Sequence, residues 1–123
     1  MGRRPVPHVL AAVAGLLVLA ACTATPPNVA TYESDGSGED ALMSGTLRVD
    51  DACVTLVGED GTVTVPVFPR GQVALDGTDL ELAGHTWADG ERIELGGGEG
   101  ASAERFTVPE GCPDGPFWVV APR

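Results

Sequence analysis

The chain has 123 residues, room for a single domain, and is strongly acidic: eighteen Asp and Glu stand against seven Arg, with a net charge of −11. All eighteen acids follow position 22 while Arg3 and Arg4 precede it, so the later part sets five arginines against eighteen acids, a net charge of −13. Such a field repels phosphate backbones and excludes nucleic acid as a partner class; seventeen Gly, ten Pro and little helical periodicity point to short strands joined by turns.

Met1 to His8 carries two arginines and no acid, and Val9 to Ala21 is an uncharged apolar run of thirteen residues. A bilayer core of about 30 Å needs roughly 20 apolar residues, so this run is too short for a permanent span and reads as an export signal over residues 1–21. Arg3-Arg4 lacks the polar and aromatic pattern of a twin-arginine signal, which favours export of the unfolded chain. At the end of the run, Leu19-Ala20-Ala21-Cys22 resembles the lipobox of bacterial lipoproteins. The resemblance implies that the Cys22 sulfur takes a diacylglycerol thioether and that cleavage follows Ala21. Each buried CH₂ contributes about 0.8 kcal/mol, so two or more acyl chains hold a soluble domain on the extracytoplasmic face of the cell membrane. The alternative is an ordinary secretory signal cut near Ala24.

Residues 22–41 come next and are expected to form a disordered tether, because Thr23 to Asp40 offers few apolar groups to offset the entropy of ordering it. Eighteen flexible residues reach roughly 24 Å at about 5–6 Å × √n. Its Thr and Pro residues leave open a glycosylated or partner-binding segment.

From residue 42 to 123 the pattern is that of a small β domain. Leu47 and Val49 flank Arg48, Val54 and Leu56 flank Thr55, and Val63, Val65 and Val67 alternate with Thr64 and Pro66, which is the period of a half-buried strand. Val73 with Leu75, Leu80 with Leu82, and Ile93 with Leu95 repeat it, and Phe117 to Ala121 makes a last strand. Asp60-Gly61, Asp76-Gly77 and Asp89-Gly90 supply the positive φ of tight turns and are expected to close hairpins. Pro66 and Pro69 bracket Val67-Phe68 and predict an edge or a bend there. Gly96-Gly97-Gly98-Glu99-Gly100-Ala101 formally contains G-x-G-x-x-A, but no helix follows within a βαβ unit and Glu99 would repel a pyrophosphate, so a flexible loop is expected. Only Ala101 to Phe106 has the makings of a helical turn. The architecture expected is all-β, a small antiparallel barrel of OB or SH3 type, with a two-sheet sandwich as the alternative.

After Cys22 two cysteines remain, and Cys53 and Cys112 are expected to pair in an oxidising compartment. There is no Cys-x-x-Cys and one histidine in the exported part, so no metal or cofactor site is expected. That histidine, His85, is expected at the surface; a hydrolase would need a serine elbow, which is lacking, and the turn acids do not match the spacing of a calcium loop. Trp118, next to Phe117, and Trp87 are the candidate binding aromatics, since adjacent strand residues point to opposite faces and one of the pair 117–118 should face outward.

Gly45-Thr46-Leu47, Cys53-Val54-Thr55-Leu56, Val67-Phe68-Pro69, Gly96-Gly97-Gly98 and Cys112-Pro113 are similar to stretches in a group of small envelope proteins and lipoproteins of high-GC Gram-positive bacteria. The likeness implies a compact β fold and an envelope location, and carries over no catalytic or ligand position. The functional expectation is a non-catalytic module that is bound to the membrane through its lipid and contacts an envelope protein or cell-wall component. The alternative is an envelope hydrolase or metal-dependent enzyme using His85 and nearby acids.

Overall fold

A computed structural model describes residues 2–5, 15, 24–100 and 103–123. The described residues form ten strands and one 3-10 turn at Ala103–Arg105, with no α-helix. The strands are β1 (Ala30–Tyr32), β2 (Ala41–Val49), β3 (Val54–Val57), β4 (Val63–Pro69), β5 (Val73–Asp76), β6 (Asp79–Leu82), β7 (His85–Trp87), β8 (Arg92–Gly100), β9 (Phe106–Thr107) and β10 (Phe117–Val120). No helix among the described residues is long and apolar enough to cross a membrane.

β2, β3 and β4 follow one another as antiparallel neighbours, β8 returns beside the free edge of β2, and β10 lies between β8 and β4. The β10–β4 pairing closes a five-stranded barrel, the expected architecture in its OB-like, Greek-key form. The closing pair is parallel, with Phe117 opposite Val65 and Val119 opposite Val67, so the barrel is antiparallel everywhere but at its seam. Between β4 and β8 the chain makes a separate three-stranded sheet, β5-β6-β7. Its buried Val73, Leu80 and Leu82 join Leu47, Val54, Leu56, Phe68, Ile93, Leu95 and Trp118 in the larger core. A second core of Ala30, Cys53, Val65, Val67 and Phe117 forms on the other side of β4 and β10.

Two of the Asp-Gly turns are hairpins: residues 58–62 join β3 to β4, and Gly77-Thr78 joins β5 to β6, with Gly77 at φ 60°. Asp89-Gly90 is not a hairpin. It carries the chain out of the three-stranded sheet and into the barrel, where Gly90 N donates to Leu47 O, Leu47 N to Glu91 O, and Val49 N to the Asp89 carboxylate.

Three further expectations are corrected. The Gly-rich segment is the second half of β8, paired with β10 from Gly97 to Gly100, because these residues pass too close to their neighbours to bear side chains. A Cβ on Gly97 would run into the Val119 carbonyl, and one on Gly100 would stand 2.7 Å from Val119 Cγ2. The Pro66–Pro69 end of β4 is no edge. Val65 N donates to Pro116 O on the β10 side, so by alternation the missing donor of Pro66 faces the other side, where β3 ends and β1 begins.

The tether is also shorter than expected over 22–41. Val29, Ala30 and Thr31 are at most 2% exposed, and β1 lies parallel to β4 with β9 on its far side. The run Val29-Ala30-Thr31-Tyr32 pairs along β4 where Pro66 has released β3, and that pairing outweighs the polar surroundings in the sequence. Residues 33–40 then form the loop to β2. The Thr31 hydroxyl is buried with no partner among the described residues, a cost of about 1–3 kcal/mol against β1.

Candidate functional site

A sizeable hollow on the described surface lies where β1 hands over to the loop. Two adjoining clefts of about 630 and 390 Å³ share Tyr32, Arg105 and Val119. The loop Glu33–Glu39 forms one wall, the 3-10 turn and Phe106 form the other, and Gly98, Gly100 and Val119 form the floor. The glycines that let β8 pack against β10 are themselves covered there: Gly98 is buried beneath the Glu39 side chain, and Gly100 is crowded by Val119 and Phe106.

The walls are held by local hydrogen bonds. Tyr32 Oη donates to Val120 O at 2.6 Å and fixes the end of β1 to β10. Burial pushes its phenol pKa up, the Asp35 charge adds to this, and a hydrogen bond with Ser34 opposes it. In the loop, the Asp35 carboxylate accepts from Ser37 Oγ at 2.6 Å and from Ser37 N at 2.9 Å, which holds its pKa below the usual value. Glu39 lies over Gly98, so closely that a Cβ there would meet the carboxylate.

Electrostatically the cleft is negative. Glu33, Asp35, Glu39, Glu99 and Glu104 line it, against Arg105 alone. Glu33 pairs with Arg70 at 2.8 Å, both being exposed, a pair worth no more than about 1 kcal/mol. Arg105 has no carboxylate within 4.0 Å among the described residues. The acids are spread along the walls, and no three His, Cys, Asp or Glu among the described residues gather to hold a metal ion. With Tyr32 and Phe106 beside dispersed carboxylates, the arrangement suits an extended cationic ligand in contact with aromatic faces.

Trp118, expected as a candidate exposed aromatic, is buried at 8%, and so is Phe117 at 7%. Each faces a different core because β10 is covered on both sides, so the rule that one ring must look outward fails. Trp118 Nε1 donates to Leu95 O at 3.2 Å and is a structural group. Trp87 is half-buried against the larger core, and its ring stacks on the exposed His85 at 5.8 Å between centroids and 27° between planes. His85 makes no side-chain hydrogen bond among the described residues, and neither it nor Trp87 lines the acidic cleft.

Cys53 and Cys112 are joined as expected, with Cα atoms 4.9 Å apart. The bridge ties the start of β3 to the turn before β10, where Cys112 N donates to Pro109 O. Cys22, the expected lipid attachment, lies outside the described residues, as does the apolar run 9–21 except for Gly15.

The residues that shape the cleft escaped the sequence reading. Tyr32, the one tyrosine, sat in the presumed tether, and Arg105 and Phe106 lay in the stretch Ala101 to Phe106, read only as a helical turn, which the 3-10 turn Ala103–Arg105 matches. The β-prone run Val29–Tyr32 was the available signal. No family model, no curated protein and no solved structure matches the chain.

Proposed function

We propose that the protein is a lipid-anchored, extracytoplasmic and non-catalytic binding module of the bacterial envelope, with the Tyr32–Arg105 cleft as its docking surface. The Leu19-Ala20-Ala21-Cys22 motif supports the anchor, and the Cys53–Cys112 bridge fits an oxidising compartment outside the cytoplasm. The observation that carries the binding reading is the cleft itself, which five carboxylates and one arginine line beside two aromatic rings. A partner of this chemistry is a protein segment or cell-wall component rich in amines. The same charge opposes nucleic acid. The enzyme reading through His85 has nothing in its favour, since the imidazole stacks on Trp87 rather than on an acid or a serine.

Two measurements test this. Palmitate labelling of cells should mark the wild type and be lost in Cys22→Ala; equal labelling of both removes the anchor. Titration of the mature chain with a lysine-rich peptide should show binding that weakens from about 0.05 to 0.5 M salt as screening shortens the field. Glu99→Gln/Glu104→Gln should weaken it further. Binding indifferent to both changes would rule out the cleft.

A further inference from the structure

The chain enters the fold at one fixed point. Val29 N donates to Pro26 O at 3.2 Å, the Asn28 side-chain amide donates to Asp50 O at 2.8 Å, and Asn28 O accepts Val54 N at 2.9 Å. Everything from Pro26 onward is therefore fastened to the barrel, beside the loop that joins β2 to β3. The Cys53–Cys112 bridge is immediately adjacent, and Gly111 packs on Ala52 so tightly that a Cβ there would lie 2.7 Å from Ala52 Cβ.

Cys22 and Pro26 are four positions apart, a reach of at most about 14 Å at roughly 3.6 Å per step. A domain of this size has a radius of gyration of about 12 Å, hence a diameter near 30 Å. A leash that short cannot pass around the domain, so the far side cannot be turned to the anchor plane.

On the reading that Cys22 carries lipid, we infer that the barrel rests on the bilayer in one orientation, with the Asp50–Cys53 loop and the Glu110–Cys112 turn facing the headgroups. This face presents exposed Asp50, Asp51 and Glu110 and no arginine. It fits a zwitterionic lipid surface, or one whose charge is screened, and is pushed to the limit of its leash by anionic lipid. β1 runs onward from Asn28, so Tyr32 and the acidic cleft sit about 13 Å further along the barrel at about 3.3 Å per residue. The β3–β4 hairpin lies the other way, since β3 leaves Val54 antiparallel to β4. The anchor thereby sets which surfaces a partner in the envelope meets.

The mature chain has one thiol outside the disulfide, Cys22, which allows coupling to a maleimide lipid through a thioether. Placed on phosphatidylcholine nanodiscs that contain a gadolinium-chelating lipid, the amide signals of Asp51, Ala52 and Gly111 should be broadened several times more than those of Gly61 and Thr62. Uniform broadening, or a maximum at Gly61, overturns the orientation. A second chain with ten Gly and Ser residues inserted between Thr25 and Pro26 should lose the contrast, and a contrast that survives the insertion overturns the leash as its cause. Because the lipid is attached chemically, this outcome is separate from whether cells acylate Cys22, which the palmitate experiment decides.

Discussion

Replacing Gly97 by alanine asks whether the Gly-rich run is a packed strand or the loop that its composition suggests. Gly97 sits opposite Ala41 on one side and Val120 on the other, so its backbone is held from both edges. An added Cβ would strike the Val119 carbonyl and lie 2.9 Å from Val119 C and 3.0 Å from Trp118 Nε1. Relief requires β10 to shift. Overpacking of this kind costs about 1–3 kcal/mol, and displacing Trp118 from Leu95 O loses about 1 kcal/mol more. The sum, about 2–4 kcal/mol, is a large share of the roughly 5–15 kcal/mol that holds a small domain folded. It should lower Tm by about 8 °C or more at about 4–8 °C per kcal/mol. Gly96→Ala is the internal control: the nearest atom to its Cβ is Ala41 O at 3.9 Å, so that change should be neutral or gain up to about 1 kcal/mol from reduced chain entropy. Urea denaturation followed by circular dichroism, with the disulfide intact, gives both values. If the two variants agree to within about 0.5 kcal/mol, the span of ordinary surface changes, then residues 97–100 are not the closely packed strand described.

Other outcomes follow from the same packing. Cys53→Ser/Cys112→Ser opens a loop of 59 positions and should cost about 4 kcal/mol on the chain-entropy model, measurable by urea denaturation of the oxidised wild type beside the double variant. Thr31→Val removes a buried hydroxyl that has no partner and should stabilise the domain by about 1 kcal/mol or more; a loss would mean that the hydroxyl is paired in solution. Tyr32→Phe should cost about 1 kcal/mol by leaving Val120 O without its donor. The folded phenol has a raised pKa, so its contribution is fully present below the ordinary tyrosine value of 10.0 and is lost as pH rises through the folded value. With one tyrosine and no lysine in the chain, wild-type stability should fall above pH 10 while Tyr32→Phe stays nearly flat.

The strands whose burial could be seen in advance are those whose two faces differ. Leu47 and Val49 around Arg48, Leu80 and Leu82 around Glu81, and Ile93 and Leu95 around Glu94 each have one face in the core and one in water, and each was legible. Where both faces are covered, as in β3, β4 and β10, the strand was legible but the burial of its second face was not. Phe117 and Trp118 were placed on a strand, but they bury opposite rings in opposite cores where alternation expected one of them to face outward. The second half of β8 is invisible for a related reason: a strand pressed against Val119 and Glu39 must shed its side chains, and with them its pattern. β1 is three residues long, and what holds it is the vacancy beside Pro66 on a strand more than thirty positions away. Nothing local announces such a partner.

The candidate site divides in the same way. Its sign was readable, because a chain with eighteen acids and seven arginines is negative almost wherever a hollow forms. Its place was not, because the cleft is assembled from Tyr32, Gly98, Arg105 and Val119, which meet only once the β10–β4 seam has closed the barrel and Tyr32 has bonded to Val120. The glycines of β8 are the link between the two levels. Their lack of side chains is demanded by packing, and at Gly98 the same lack makes room for the Glu39 side chain that lines the cleft. A substitution at Gly98 would therefore disturb the fold and the cleft together, whereas changes to Glu99 or Glu104, both exposed, alter the charge of the cleft and leave the barrel standing. That difference is what makes the exposed acids, rather than the glycines, the right residues with which to probe binding.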